Sequence, residues 1–567
     1  MADAAARREP AVWEAHYPPG VDWSAPIPAL PLYKLLDDAA NAYPDNPCLD
    51  FLGKSYSYRQ VQDLVNRFAR GLQKAGFSKG DRIGLFLPNC PFYVIAYFGI
   101  LKAGGTVVNF NPLYVDHEIV KQMTDSGAIA MVTLDMPMMY DKLVAMFGRT
   151  QLKRLIVCRL ADALPTLQKL LYPIVKAKDV ARYPDDERHL RFDRLIADAA
   201  PPEPVFCNPT QDVAVLQYTG GTTGVPKGAM LTHANLYANA LQAGLWFPGA
   251  QMGRERMLGV LPLFHVFAMT SVMNMILWKA GEIILLPRFE LDQVLKIIND
   301  KKPTLFPAVP TIYTAINNHP RREKYDLSSI KFCISGGAPL PVDVKLKFEQ
   351  VTGCKLVEGY GLSESSPVAT CNPVEGPNKP GSIGLPMPQT MIDIMSLDDR
   401  DKPVARGDRG EICIRGPQVM KGYWNRPDES ADALAGGRLH TGDVGYMDEE
   451  GYIFIVDRIK DLILAGGYNV YPRNVEEAIY QHPAVHECIV LGVPDTYRGQ
   501  TVKAYIALKG GQSLTAEELR DFLQDKLSPI EMPKQVEFRD ALPKTMIGKL
   551  SRKALLDEMA ATAAPAA

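Results

Sequence analysis

Short apolar runs alternate with amphipathic stretches through the first third of the chain. Asp81 to Leu87 (DRIGLFL) is an apolar run of strand length, and Pro91 to Lys102 after it predicts a helix. Thr106 to Phe110 predicts a second strand, Asp116 to Ser126 a second helix, and Ala128 to Leu134 a third strand. Unbroken apolar strands separated by helices are the mark of a mostly parallel sheet covered by helices, since a strand buried on both faces has no reason to alternate with polar residues. Beyond Ile455 to Asp461 the texture changes. Val485 to Leu491 and Val502 to Leu508 predict strands, and Thr515-Ala-Glu-Glu518 is a capping box opening a helix that runs to about Leu527. The fold class is therefore α/β, with a large multi-lobed N-terminal domain of mostly parallel, helix-covered sheets and a small α+β C-terminal domain. A chain of 567 residues is too long for one hydrophobic core, which stops growing near roughly 250–300 residues.

Two stretches stand apart from this rhythm. Leu160 to Pro202 mixes Lys169, Lys176, Lys178, Arg182, Arg188, Arg191 and Arg194 with Leu167, Leu170, Leu171 and Ile174. It reads either as a solvated surface excursion or as an amphipathic insertion that touches membrane. The most apolar windows are interrupted: Phe92 to Val108 contains Lys102, Gly104 and Gly105, and Ser271 to Pro287 contains Lys279, Gly281 and Glu282. Neither supplies the about 20 apolar residues that a spanning helix needs, so no membrane span is expected. Residues Met1 to Pro10 lack the apolar core of a signal peptide. The expected location is the cytoplasm, with peripheral attachment at the inner face of the membrane as the one variant.

Composition excludes more than it suggests. The net charge of −2 supplies no basic field for nucleic acid. Nine cysteines occur singly, with no C-x-x-C spacing, so neither a zinc site nor a redox dithiol is indicated and a reducing compartment is expected.

The chemistry is carried by Tyr218-Thr-Gly-Gly-Thr-Thr-Gly-Val-Pro-Lys-Gly228, which follows the apolar strand Val213 to Gln217. Gly220, Gly221 and Gly224 let the backbone approach an anion, and consecutive N–H groups in such a turn form a nest for phosphate. Thr219, Thr222 and Thr223 add hydroxyls, and Lys227 adds positive charge. A Walker loop is excluded, because Pro226 precedes Lys227 and Gly228 follows it. After the loop Ala229 to Leu231 is extended, and Thr232 caps a helix from His233 to about Leu241. Gly361-Leu-Ser-Glu-Ser365 is not a hydrolase elbow, and Gly359-x-Gly361-x-x-Glu364 is not a dinucleotide fingerprint.

This loop resembles the signature of the superfamily of acyl-CoA synthetases, luciferases and peptide-synthetase adenylation domains. Over about Leu32 to Leu556 the chain is most similar to bacterial long-chain-fatty-acid–CoA ligases. The resemblance implies that Thr219, Gly220, Gly221, Thr222, Thr223, Gly224 and Lys227 hold the phosphates of ATP. It implies that Ser335-Gly-Gly-Ala-Pro339 and Glu358-Gly-Tyr-Gly-Leu-Ser-Glu364, at the ends of strands, hold adenine through Gly337, Ala338, Gly359, Gly361 and Ser363, with Tyr360 stacking on the base. Glu364 would bind Mg²⁺ with Thr219 nearby. Asp443 and Arg458 would hold ribose.

By the same resemblance Lys460 is a hinge between an AMP-binding domain of residues 1–459 and a mobile C-terminal domain of residues 460–567. Gly466, Gly467 and Tyr468 would line the CoA path, and Lys549 would bridge the substrate carboxylate and the α-phosphate. The catalytic set is thus Lys549, Glu364 and Thr219. His265 and Met269 would lie in the acyl pocket, His265 as a gate or as an ordinary core histidine, and Met269 where some long-chain relatives carry a Trp gate. Two departures are Arg438, where a Trp often stands, and Glu531, where a basic residue is common.

The implied function is ATP-dependent activation of a medium- or long-chain fatty acid to acyl-adenylate with release of pyrophosphate, then transfer to CoA. Mg²⁺ is the implied cofactor and ATP, fatty acid and CoA the small-molecule partners. A homodimer is a further expectation and nucleic acid is not one. Two alternatives stay open: an adenylate-forming ligase for aryl or short-chain acids, and a non-catalytic fatty-acid-binding scaffold.

Overall fold

The computed structural model describes residues 10–219, 226–465, 468–495, 499–544 and 550–563. The chain forms two compact units. One comprises Met1–Ile392, Ile414–Leu439 and Glu450–Tyr452, and the other Asp393–Cys413, His440–Glu449 and Ile453–Ala567.

Among the described residues the first unit holds three sheets. Its strands begin with β1 (Pro47–Phe51) and β2 (Lys54–Ser57), and continue with β3 (Arg82–Phe86), β4 (Thr106–Asn109), β5 (Ala130–Leu134), β6 (Arg154–Cys158), β7 (His189–Arg191), β8 (Val213–Thr219) and β9 (Lys227–Thr232). The last seven form one sheet in the order β7-β6-β5-β3-β4-β8-β9. It is parallel from β7 to β8, and only β8 and β9 run antiparallel. The predicted alternation of strand and helix therefore stands, and the central strands are buried, β4 and β5 end to end and β3 beyond Arg82, as parallel strands with both faces covered must be. The helix Pro91–Lys102 buries every residue from Pro91 to Leu101, so its all-round apolarity belongs to the core of the unit.

Strands β10 (Arg256–Gly259) and β11 (Glu282–Leu285) join β1 and β2 in the order β10-β11-β1-β2. The second apolar window breaks up into a π-helical turn at Met269–Asn274, a short helix at Met275–Trp278 and β11. The third sheet is β12 (Phe332–Ser335), β13 (Lys355–Gly361), β14 (Val368–Cys371) and β15 (Leu385–Pro386), with β12 and β13 parallel. Here the structure corrects an expectation. The strand near Leu356 does not stop before Glu358-Gly-Tyr-Gly361 but runs through it, pairing Gly359 with Cys371 and Tyr360 with Thr370 of β14. The glycines make this possible, since a Cβ at Gly361 would fall on the Pro367 carbonyl.

The second unit contains most of the sheet β16 (Met391–Met395), β17 (Gly410–Arg415), β18 (Leu439–Met447) and β19 (Ile453–Arg458). It also contains a five-stranded sheet built from β20 (Ile463–Ala465), β21 (Tyr468–Val470), β22 (Val485–Asp495), β23 (Gly499–Leu508) and β24 (Gln535–Phe538). The helices Pro472–Tyr480 and Ala516–Leu523 pack Val475, Ile479, Leu519 and Leu523 into its core. Thr515 caps the second of these through Glu518 N, as its capping box predicts. That helix stops at Leu523, short of Leu527, and residues 524–526 continue as turns.

The helix Thr166–Val175 buries none of its residues. Leu167, Leu170, Leu171, Ile174 and Val175 are 70%, 66%, 46%, 75% and 71% exposed. No helix among the described residues is long and apolar enough to cross a membrane.

Candidate active site

In the first unit the phosphate loop is carried by the hairpin arms β8 and β9, whose ends pair Thr219 with Lys227. Gly220, Gly221, Thr222, Thr223 and Gly224 lie outside the described residues. What can be followed is how the arms are held. The Tyr218 hydroxyl donates to Asp125 Oδ2 at 2.6 Å, and Arg426 Nη2 donates to Asp125 Oδ1 at 2.8 Å. Burial first, and then the Asp125 carboxylate, push the Tyr218 phenol well above its ordinary range, so it stays a donor. Gly228 is where the ring needs room, since a Cβ there would meet Tyr218 Cζ at 3.1 Å.

Ser363, Glu364 and Ser365 form a 3₁₀ turn packed against β8 and β9, which brings Glu364 to the foot of the phosphate loop. Glu364 Oε1 accepts a hydrogen bond from the Tyr423 hydroxyl at 2.8 Å. Among the described residues nothing bonds the second oxygen, Oε2. Mg²⁺ takes one or two carboxylates beside phosphate oxygens and water, so a single half-buried carboxylate with one uncommitted oxygen is a donor set that fits it. Lys227 Nζ sits 5.2 Å from the centre of the Tyr423 ring.

The parallel pair β12 and β13 brings the other two motifs together, with Ser335 opposite Glu358. Beyond Ser335 the chain turns through Gly337, at φ +80, and half-buried Ala338, and Glu358 Oε1 accepts from Leu340 N at 3.3 Å. Tyr360 is half-buried on β13. The segment predicted for the acyl pocket reaches the same turn, because Phe267 lies against Gly336 so closely that a Cβ there would meet Phe267 Cζ at 3.1 Å.

His265 caps the short helix Val266–Ala268, its Nδ1 accepting from Phe267 N at 3.3 Å, and it is half-buried. Met269 is fully buried at the start of the π-helical turn, and its Sδ accepts from Asn109 Nδ2 at 3.4 Å. Asn109 also donates to Gln217 Oε1 and accepts from Tyr93, so Met269 closes a polar network behind β8 that sequence reading missed. Its members come from separate strands and helices, and no local spacing marks them.

The second unit carries the predicted ribose pair. Asp443 and Arg458 are register partners on β18 and β19, and Arg458 Nε lies 2.8 Å from Asp443 Oδ1. Asp443 is buried and its own N–H donates to Thr441 Oγ1 at 3.0 Å. Behind it, His440 Nδ1 is 2.7 Å from Glu411 Oε2, Cys413 Sγ is 3.4 Å from the same nitrogen, and Gly442 N donates to Glu411 Oε1 at 3.0 Å. Glu411 and Cys413 stand on β17 and the histidine on β18, so this buried group had no sequence signature.

Lys460 lies in the 3₁₀ turn Ile459–Asp461, and burial lowers its pKa from the ordinary lysine value. Tyr468 stands 66% exposed on β21, while Gly466, Gly467 and Lys549 lie outside the described residues. The flanks of Lys549 are tied together, with Lys544 bridging to Leu550 and Ser551 N donating to Pro543 O at 2.8 Å. Lys544 itself pairs with Glu487 at 2.6 Å, which gives that lysine a structural role. Glu531, one of the two departures, accepts from Ser528 N and Oγ.

Comparison with known proteins shows the family. Residues 36–424 match the model of the AMP-binding enzyme family, and residues 474–549 match the AMP-binding enzyme C-terminal domain. A long-chain-fatty-acid–CoA ligase of Bacillus subtilis (strain 168) is 46% identical over 557 residues, covering 96% of this chain and 98% of that protein. One from Escherichia coli O157:H7 is 38% identical with the same coverage. A feruloyl-CoA synthase of Amycolatopsis sp is 36% identical over 88% of this chain and 93% of that protein. Among solved structures, an ATP-bound RpMatB-BxBclM chimera superposes with a TM-score of 0.81 at 28% identity, covering 93% of this chain and 98% of that one. The chain belongs to the AMP-binding enzyme family, as an acyl-CoA synthetase of the adenylate-forming superfamily.

Proposed function

We propose that this protein is a long-chain-fatty-acid–CoA ligase, joining a medium- or long-chain fatty acid first to AMP and then to CoA. The observation that carries it is the convergence, in one unit, of the phosphate-loop arms, the Glu364 turn, the adenine turns and the Phe267 segment, in a chain 46% identical to a protein named for that activity.

The carboxylate oxygen of the fatty acid attacks the α-phosphorus of ATP and pyrophosphate leaves. The amides and hydroxyls of residues 219–224 and the Lys227 ammonium hold the phosphates in line. Glu364, with Thr219 beside the loop, would hold Mg²⁺, which when bound would supply neutralising charge to the phosphate oxygens. Gly337, Ala338, Gly359, Gly361 and Ser363 shape the adenine site with Tyr360 against the base, and Asp443 with Arg458 takes the ribose hydroxyls. Lys549 bridges the fatty-acid carboxylate and the α-phosphate.

In the second step the CoA thiol, entering past Gly466, Gly467 and Tyr468, attacks the acyl carbon, and AMP leaves. Lys460 is the pivot between the two steps, separating an adenylating domain of residues 1–459 from a C-terminal domain of residues 460–567. His265 and Met269 border the acyl chain. Incubating the protein with ATP, CoA and either C6 to C18 fatty acids or benzoates tests the substrate. Thioester from the fatty acids is expected, and thioester from aryl acids alone would favour the feruloyl-CoA-synthase-like alternative.

A second reading concerns location. The helix Thr166–Val175 turns Leu167, Leu170, Leu171 and Ile174 to solvent at the spacing of one helical face. Between Leu164 and Arg182 the chain carries Lys169, Lys176, Lys178 and Arg182 against a single acid, Asp179. An apolar stripe flanked by cations suits the surface of an anionic bilayer, where each buried leucine contributes at most about 1.5–3 kcal/mol. The protein should co-sediment with vesicles containing phosphatidylglycerol, and the pair Leu170→Asp and Ile174→Asp should abolish this while leaving acyl-CoA formation intact. Failure of the wild-type protein to co-sediment would remove the reading.

A further inference from the structure

Residues 420–424 form a bracket that no sequence motif singled out. Lys421 N donates to Met230 O, Met230 N to Gly422 O, and Trp424 N to Gly228 O, so the segment lies along β9 as an added edge. At one end Met420 N donates to the Glu364 carbonyl. At the other, Trp424 Nε1 donates to the carbonyl of Asp125, the same residue whose carboxylate holds Tyr218 and Arg426. The bracket therefore ties the base of the phosphate hairpin to the Glu364 turn through backbone bonds.

At its centre is Tyr423, half-buried, with its hydroxyl 2.8 Å from Glu364 Oε1 and its ring 5.2 Å from Lys227 Nζ.

We propose that Tyr423 is a positioning residue for adenylation, fixing the metal-binding carboxylate of Glu364 with its hydroxyl and seating the phosphate-binding Lys227 with its ring. The assignment rests on the ligase reading above and deepens it. A carboxylate bonded at one oxygen loses its freedom to rotate, and the other oxygen, Oε2, is left for the ion. Outer partners of this kind change metal affinity by about 10- to 100-fold when removed. The ring does a separate task, because a cation within about 6 Å of an aromatic face is attracted to it and held in place. One side chain thus aligns two groups that must act on the same triphosphate.

The two tasks separate by mutation. Tyr423→Phe removes the hydroxyl and keeps the ring. The full-length variant should bind Mn²⁺ about 10- to 100-fold more weakly in the presence of α,β-methylene-ATP, read by electron paramagnetic resonance. Its affinity for AMP without metal should stay within about twofold of wild type, since a site that is merely misfolded would lose both. In a Glu364→Gln background, adding Tyr423→Phe should cost no further Mn²⁺ affinity, because Tyr423 acts through Glu364. Tyr423→Leu should in addition weaken metal-free ATP binding about two- to fivefold, by releasing Lys227.

Wild-type Mn²⁺ affinity in Tyr423→Phe, an equal loss of AMP and metal, or additive losses with Glu364→Gln would each overturn the proposal. None of these readouts requires turnover. Absence of fatty-acid-dependent chemistry in the wild-type protein would sink the ligase reading alone, and the binding data would still decide the role of Tyr423.

Discussion

Burial holds His233 at a pKa of about 4, because charging an imidazole away from water is unfavourable. Asp212 opposes the shift and Lys79 adds to it. The neutral ring is also in use, since Nδ1 accepts from Leu32 N at 3.1 Å. The sign of the pH effect follows. Above the ordinary histidine pKa of 6.5 neither folded nor unfolded chain carries the proton; between 6.5 and about 4 the unfolded chain takes it and the folded chain does not. Stability conferred by the neutral ring is therefore fully present above 6.5 and lost as pH falls, by up to about 3 kcal/mol. His233→Gln should flatten the decline of the urea midpoint between pH 7 and pH 4.5, and parallel curves for the two proteins would refute this assignment. At the same scale, Lys549→Ala should depress adenylate formation by about 10²-fold or more while sparing thioester formation from supplied acyl-AMP. Equal damage to both half-reactions would deny Lys549 its place at the α-phosphate.

At the scale of the element, the join between β17 and β18 carries a load that only the structure reveals. Glu411 is buried and uses one oxygen on His440 and the other on Gly442 N, next to Asp443, the proposed ribose ligand. His440→Ala leaves a buried carboxylate oxygen without its partner, a loss of about 1–3 kcal/mol. The thermal midpoint should fall, and AMP should bind more weakly because the Gly442–Asp443 turn loses its clip. A variant with wild-type AMP affinity would uncouple the two.

Elements were largely legible where local chemistry decides them. Pro91–Lys102 and Asp116–Ser126 have the bounds their patterns predict, and Thr232 and Thr515 cap the helices they were expected to cap. Elements decided by a distant partner were not legible. β13 continues through Glu358–Gly361 because β14 is there to pair with it. The Glu411–His440 contact joins residues 29 apart, and the Tyr423–Glu364 bond residues 59 apart.

At the scale of the whole molecule, the motifs that could be followed are distributed between two compact units. Thr219, Lys227, Gly337, Tyr360 and Glu364 belong to one unit and Asp443, Arg458 and Lys460 to the other. Most of the sheet that carries Asp443 falls in the same unit as the C-terminal strands. In the proposed cycle Lys460→Pro should impair thioester formation more than adenylation, and an intact second half-reaction would count against the pivot. The measurement closest to the central claim is exchange of labelled pyrophosphate into ATP by the full-length protein, with each acid supplied in turn and CoA left out. Exchange that depends on a medium- or long-chain fatty acid and on Mg²⁺ is the expected result; no exchange with any acid tried would contradict it.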